Sequence, residues 1–253
     1  VVLTIVDTVG NSATGNTTVT VLDNMAPVLQ LSGSAAVTVE CGDGYSDAGA
    51  TATDNCTASQ NMTIAVNNPV NTGLVGVYTV TYATADSSGN NAVQISRVVT
   101  VVDTTKPIIS RVGPAELTVE CTSTYEDAGA TASDVCMGVL AVTSAGAPAN
   151  PVAVGVYTIT YNVTDVHGNI ADTVSRVVTV TDTTLPTISL TGSAAMTIEC
   201  GTTYTDDGAT ASDTCAGDLT GSIVAAGEPA DPVAVGVYTI TYDVSDGYND
   251  ADT

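Results

Sequence analysis

The acidic residues of this 253-residue chain return at fixed places. Glu40, Glu120 and Glu199 each precede a cysteine, and Asp47, Asp127 and Asp206 each follow a tyrosine by two residues. Asp54, Asp134 and Asp213 stand two residues before a second cysteine. Asp86, Asp165 and Asp246 open glycine-containing turns, and Asp23, Asp103 and Asp182 stand four residues before a proline. Carboxylates brought close together cannot all stay ionised without a counter-charge. Bases are scarce, with 4 Lys and Arg against 27 Asp and Glu and a formal net charge of -23. Calcium fits such a donor set, because it accepts six to eight oxygens from several loops with loose geometry, whereas Mg²⁺ is more demanding. The competing role is turn hydrogen bonding, which Asp performs readily, and it weighs most for Asp86, Asp165 and Asp246.

Six cysteines, Cys41, Cys56, Cys121, Cys136, Cys200 and Cys215, occur alternately as E-C and D-x-C. With no C-x-x-C and a single histidine they make a poor zinc site. An even count in a β-rich exported chain reads as disulfides. Two connectivities stand open. Pairing inside each unit (Cys41–Cys56, Cys121–Cys136, Cys200–Cys215) closes a short loop worth about 3 kcal/mol. If 37–41 and 50–54 instead run as separate antiparallel strands, those sulfurs sit at opposite poles, and a strand of that length spans about 17 Å, beyond disulfide reach. Cys41 then comes beside Cys136 and Cys121 beside Cys215 across unit junctions, leaving Cys56 and Cys200 for neighbouring units.

Catalysis finds few parts. His167 is the only imidazole, lies in a turn and has no counterpart at equivalent positions. Paired carboxylates for glycoside hydrolysis need one asymmetric cleft, which near-identical small units do not offer. Lys106 is the only lysine, so self-formed isopeptide bonds cannot occur once per unit. The acidic surface repels nucleic-acid phosphates, and no apolar run reaches the ~18 residues of a membrane helix. Asn16, Asn55, Asn61 and Asn162 begin N-x-S/T triplets, which are common by chance in such a composition.

The elements that must position these residues are repeated. VTVECGDGYSDAGATATDNC (37–56) returns as LTVECTSTYEDAGATASDVC (117–136) and MTIECGTTYTDDGATASDTC (196–215). VGVYTVTY (75–82) returns at 154–161 and 235–242. The first unit reads as short strands at 28–32, 37–41, 50–54, 62–66, 77–85 and 92–102, the last two flanking the tight turn 86–90. Tyr78 and Tyr82 share one face and are expected to pack the core. Such a unit predicts an all-β fold: antiparallel immunoglobulin-like β-sandwiches arranged end to end. The organisation is a terminal strand pair (1–23) and repeats at 24–103, 104–182 and 183–253, the last without its final strand. Residues 1–13 match the register of 80–92, so the segment reads as cut within a hairpin at both ends. An open edge recruits strands, which predicts head-to-tail continuation, either in a longer array or by strand donation of residues 1–22, with Glu199 facing the next copy's Asp23 and Asp54. Head-to-tail contacts of this kind build filaments.

The runs D-T-T-x-P, V-E-C, Y-x-D-x-G-A-T-A-x-D, G-V-Y-T-x-T-Y and D-x-x-G-N resemble the bacterial immunoglobulin-like repeats related to hyalin repeats. That resemblance implies tandem modules of secreted adhesins, surface proteins and fibres. In such sandwiches the linker, the turn after the second long strand and the last hairpin share one pole. Asp103, Asp134 and Asp165 are thus expected to meet at one junction, with Glu40 and Asp47 approaching from the preceding repeat. Asp23, Asp54 and Asp86, and Asp182, Asp213 and Asp246 with Glu120 and Asp127, form the equivalent sets. The arrangement is similar to cadherins, where V-x-E, a linker Asp and A-x-D converge on calcium. The implied function is an extracellular, calcium-rigidified, disulfide-linked stalk or filament whose partners are neighbouring repeats or copies of itself. An adhesin or polysaccharide-binding module of the cell surface is the alternative. Missing tryptophan and a single off-repeat tyrosine, Tyr248, favour the scaffold.

Overall fold

A computed structural model describes residues 1–230 and 233–249 in two compact units, Val1–Thr104 and Thr105–Thr253. The expected loss of the last strand of repeat three reaches into 250–253, outside the described residues.

The first unit opens with an antiparallel hairpin, β1 (Val2–Val6) and β2 (Ser12–Asn16), exposed throughout. Its sandwich follows with β3 (Val28–Leu31), β4 (Ala36–Glu40), β5 (Ala50–Thr53), β6 (Ala65–Asn67), β7 (Gly76–Ala83) and β8 (Ile95–Val102). β3 pairs with β5, and the facing sheet runs β4-β8-β7-β6. Period-two alternation sends Val80, Tyr82, Val99 and Val101 inward to essentially zero exposure. Leu29, Ala52 and Met62 close the core from the other side. Tyr78 is half-buried against that core, and its hydroxyl donates to Leu74 O. The strand expected at 62–66 begins three residues later, because a 3₁₀ turn at Ser59–Asn61 swings Met62 into the core.

One pairing departs from the antiparallel expectation. β4 runs parallel to β8, with Ala36 opposite Val98 and Glu40 opposite Val102. The run from β3 to β4 steps from one sheet to the other at Gly33, whose φ of 85° lies where side chains with a Cβ are strained. That step leaves carbonyls inside the molecule, and Arg97 satisfies them. Its Nε donates to Ser34 O at 2.8 Å, and its Nη2 donates to Ser32 O and to Gly49 O. Nη1 pairs with Asp47, which also accepts from the Tyr45 and Tyr82 hydroxyls. Asp47, expected among the junction carboxylates, therefore sits on an arginine within its own sandwich. Burial opposes its ionisation, but the two hydroxyls and Arg97 outweigh burial and hold the carboxyl below its usual range.

The second unit repeats the design twice. Its first sandwich contains β9 (Ile108–Arg111), β10 (Glu116–Glu120), β11 (Ala130–Asp134), β12 (Gly138–Leu140), β13 (Thr143–Ala145), β14 (Gly155–Asn162) and β15 (Val174–Thr181). The sheets are β10-β15-β14-β13 and β12-β11-β9, again with a parallel β10–β15 pair. Arg176 spans the same crossing, from Val112 O and Pro114 O to Asp127, so Asp127 is likewise an internal ion-pair partner. The last repeat supplies β16 (Thr187–Leu190), β17 (Ala209–Asp213), β18 (Gly217–Asp218), β19 (Val224–Ala226) and β20 (Thr241–Asp243). Here 195–199, the counterpart of β4 and β10, is exposed and unpaired as a strand among the described residues.

The arginine site has a pH signature. Burial, then the hydrogen bond to Asp47 or Asp127, pushes Tyr82 and Tyr161 from 10.0 up to about 12. A folded value above the unfolded one gives stability that is complete below pH 10 and is lost as pH rises toward 12. Alkaline titration followed by tyrosinate absorbance should show a late class of tyrosines that ionise as the protein unfolds. Titration of all ten tyrosines together near 10 would overturn this placement.

Candidate metal centre

Each pole aspartate is held by its own turn through one oxygen, which aims the other oxygen. Asp54 Oδ1 accepts the Cys56 and Thr57 N–H groups, and Asp213 Oδ1 those of Cys215 and Ala216. Asp86 Oδ1 accepts Ser88 N–H and Asn90 N–H, and Asp246 Oδ1 accepts Tyr248 N–H and Asn249 N–H. The turn role and the cluster role are thus compatible within one carboxylate.

In the first unit Asp23, Asp54 and Asp86 converge, with one oxygen of each within 4.8 Å of the others. Asn90 ties the linker to the hairpin by donating to both Asp86 Oδ2 and Asp23 O. Burial and the surrounding carboxylates push the nearby Cys56 thiol up. In the second unit Asp182, Asp213 and Asp246 converge in the same way. Asn249 instead donates to Asp182 O and Thr184 O. Among the described residues, Asp246 Oδ2 and Asp182 Oδ2 are buried with no hydrogen-bond partner. A buried carboxylate oxygen without a donor carries a desolvation cost that a bound cation removes.

Glu120 reaches this pole from the preceding sandwich. Its carboxylate accepts the N–H and hydroxyl of Thr183, at 2.9 Å each, and lies within 4.8 Å of an Asp182 oxygen. Glu40 holds Thr104 in the same fashion. Cys121 and Cys215 are joined across the two sandwiches, with Cα atoms 5.8 Å apart. Glu120 Oε1 lies 3.6 Å from Cys121 Sγ and 3.9 Å from Cys215 Sγ. The pairing of Cys121 with Cys136, or of Cys200 with Cys215, inside one repeat is excluded by this bond. Cys56 and Cys200 are free and exposed. Non-reducing peptide mapping should return a Cys121–Cys215 peptide and alkylatable thiols at Cys56 and Cys200, while a Cys121–Cys136 peptide would refute the arrangement.

Several candidates stand apart from these sets. Asp103, buried, closes the first unit, whereas Asp134 and Asp165 belong to the second. Asp134 Oδ2 is also buried without a hydrogen-bond partner among the described residues. Asp206 accepts from Tyr204 and Tyr242, and Glu199 is exposed beside Cys200. Sequence reasoning missed the arginines, although S-R-V-V-T-V recurs at 96–101 and 175–180 and marked them.

Parallel-edged sandwiches with acidic poles, repeated in tandem, define a protein of immunoglobulin-like architecture. Residues 29–101, 109–180 and 188–253 each match the family described as bacterial surface protein, Ig-like domain. The chain belongs to that family. It is 29% identical to hyalin of Strongylocentrotus purpuratus over 95% of its own length and 21% of the relative's. It is 33% identical to hyalin of Lytechinus variegatus over 93% of its length and 47% of the relative's. The chain therefore spans about a fifth and about half of these two proteins. Among solved structures, a lipoprotein of Bacteroides thetaiotaomicron overlaps 31% of this chain and 39% of its own at 24% identity and a TM-score of 0.27. The human protocadherin-24 EC1-2 structure overlaps 63% of this chain and 100% of its own at 14% identity and a TM-score of 0.33. No helix of the described residues is long and apolar enough to cross a membrane.

Proposed function

We propose that the chain is a non-catalytic, extracellular structural repeat whose sandwich junctions are rigidified by calcium and stitched by disulfides. Membership in a surface-protein family and similarity to hyalins support the setting. The side-chain oxygens of Asp182 and Asp246, buried and without a hydrogen-bond partner among the described residues, in a chain with four basic residues, support the cation. At the junction of repeats two and three, Asp182, Asp213, Asp246 and Glu120 would hold it, with Asp127 left to Arg176. Asp23, Asp54 and Asp86 would serve the first pole with a Glu199-type residue from a preceding repeat. Calcium supplies the positive charge that lets these carboxylates share one pole. Rigid junctions in series make a stalk or filament. Isothermal titration should show calcium binding that Asp182→Asn weakens at least tenfold, and a titration without binding would remove the metal from this reading.

A further inference from the structure

The Cys121–Cys215 bond lies among charged oxygens rather than in apolar packing. One oxygen of Glu120, one of Asp182 and the two sulfurs all lie within 4.8 Å of one another. Glu120 ends β10, Asp182 follows β15 and Cys215 follows β17, so strand ends of two sandwiches fix the four residues. Asp182 Oδ1 accepts from the Thr184 N–H and hydroxyl. Asp182 Oδ2 has no hydrogen-bond partner among the described residues, in a side chain only 8% exposed. It is the oxygen with a ligand position to offer. A cavity of about 230 Å³ runs alongside, with both cysteines, Asp182 and exposed Tyr248 in its wall. It gives a small reductant and a metal ion a way to the sulfurs.

We propose that the reduced junction is a binding site for a soft divalent cation of the zinc class, held by Cys121, Cys215, Glu120 and Asp182. With the disulfide closed the sulfurs carry no charge, and this pole offers oxygens alone, the donors that suit calcium. A dithiol reductant changes the set. Two electrons pass to the Cys121–Cys215 bond, which opens to two thiols while the reductant closes to a cyclic disulfide. Each thiol releases its proton to solvent as it binds the metal. Two thiolates and two carboxylates then form a four-coordinate set that favours zinc over calcium. Two sulfurs on a tetrahedral zinc stand about 3.7 Å apart, given Zn–S bonds of about 2.3 Å. Cα atoms 5.8 Å apart allow that spacing by side-chain rotation. The donors come from two repeats, so no C-x-x-C spacing announces them. The same two strand ends would thus be clamped by a covalent bond when oxidised and by a metal when reduced. The site shares two carboxylates with the calcium set proposed above but does not need calcium to bind there.

The test uses the whole chain with Cys56→Ser and Cys200→Ser, which removes the two free, exposed thiols. It is reduced by a dithiol, freed of reductant without air, and titrated with cobalt(II) in calcium-free buffer. Thiolate-to-cobalt charge transfer should appear on reduction and be reversed by zinc. Adding Cys121→Ser and Cys215→Ser should lower the band by one equivalent of cobalt. Glu120→Gln, which keeps an oxygen for Thr183 but loses the charge, should weaken that equivalent at least tenfold. An equal band with and without Cys121 and Cys215 would overturn the inference. So would a cobalt affinity untouched by Glu120→Gln, which would mean that the thiols bind metal outside the folded junction. Because calcium is absent throughout, neither result bears on whether the oxidised chain binds calcium.

Discussion

Replacing Arg176 with leucine should cost the second sandwich about 3–5 kcal/mol, a range typical of breaking a buried ion pair from one side. The guanidinium shows only 2% exposure and joins two strand-crossing carbonyls to Asp127. Leucine restores the apolar volume but leaves Asp127 without its cation and the carbonyls of Val112 and Pro114 without this donor. The matched control is Lys106→Ala. Its pair with Asp172 is 61% and 91% exposed, so its loss should change stability by less than about 1 kcal/mol. Urea unfolding of both variants makes the comparison, with transitions resolved because several sandwiches need not unfold together. Equal midpoints for the two variants would remove the arginine from its structural role. Arg97→Leu should act alike in the first unit, since Arg97 and Asp47 repeat the geometry.

These arginines show where a sequence is legible and where it is not. The sandwiches could be read because strand periodicity is local. Tyr82 and Val80, or Val99 and Val101, announce a buried face by alternation alone. The poles could be read because a repeat fixes chain direction, which brought Asp182, Asp213 and Asp246 together without any coordinate. Asp47 and Asp127 escaped because their fate depends on a side chain fifty or forty-nine residues away that reaches through the core. Counting four bases against 27 acids made a base near any one aspartate look improbable. Position, not number, decides, and two of those four bases are spent on Asp47 and Asp127. The parallel pairing of β4 was hidden for a related reason. V-T-V-E reads as a strand whichever partner it takes, and only the Gly33 step assigns it to the opposite sheet.

Chelation should lower the unfolding temperature of the chain, and the size of the drop follows from linkage. An ion that binds only the folded state contributes about 2.7 kcal/mol at a hundredfold excess over its dissociation constant. Two or more poles loaded together would make the effect larger than that of most single substitutions. Asp182→Asn makes the test specific, because Asp182 has oxygens within 4.8 Å of both Glu120 and the Asp213–Asp246 pair. With calcium present the variant should be less stable than the parent. With chelator the order should close or reverse, because removing one charge relieves repulsion among the remaining carboxylates. Glu116→Gln is the control. It lies at the start of β10, at the far end from Glu120, so its unfolding should respond to calcium as the parent does. A crossing of the Asp182→Asn and parent stabilities between the two conditions cannot come from a merely structural aspartate, whose loss would have one sign throughout. If calorimetric scans with and without chelator superimpose for both proteins, the buried oxygens of Asp182 and Asp246 are satisfied by something other than a metal ion.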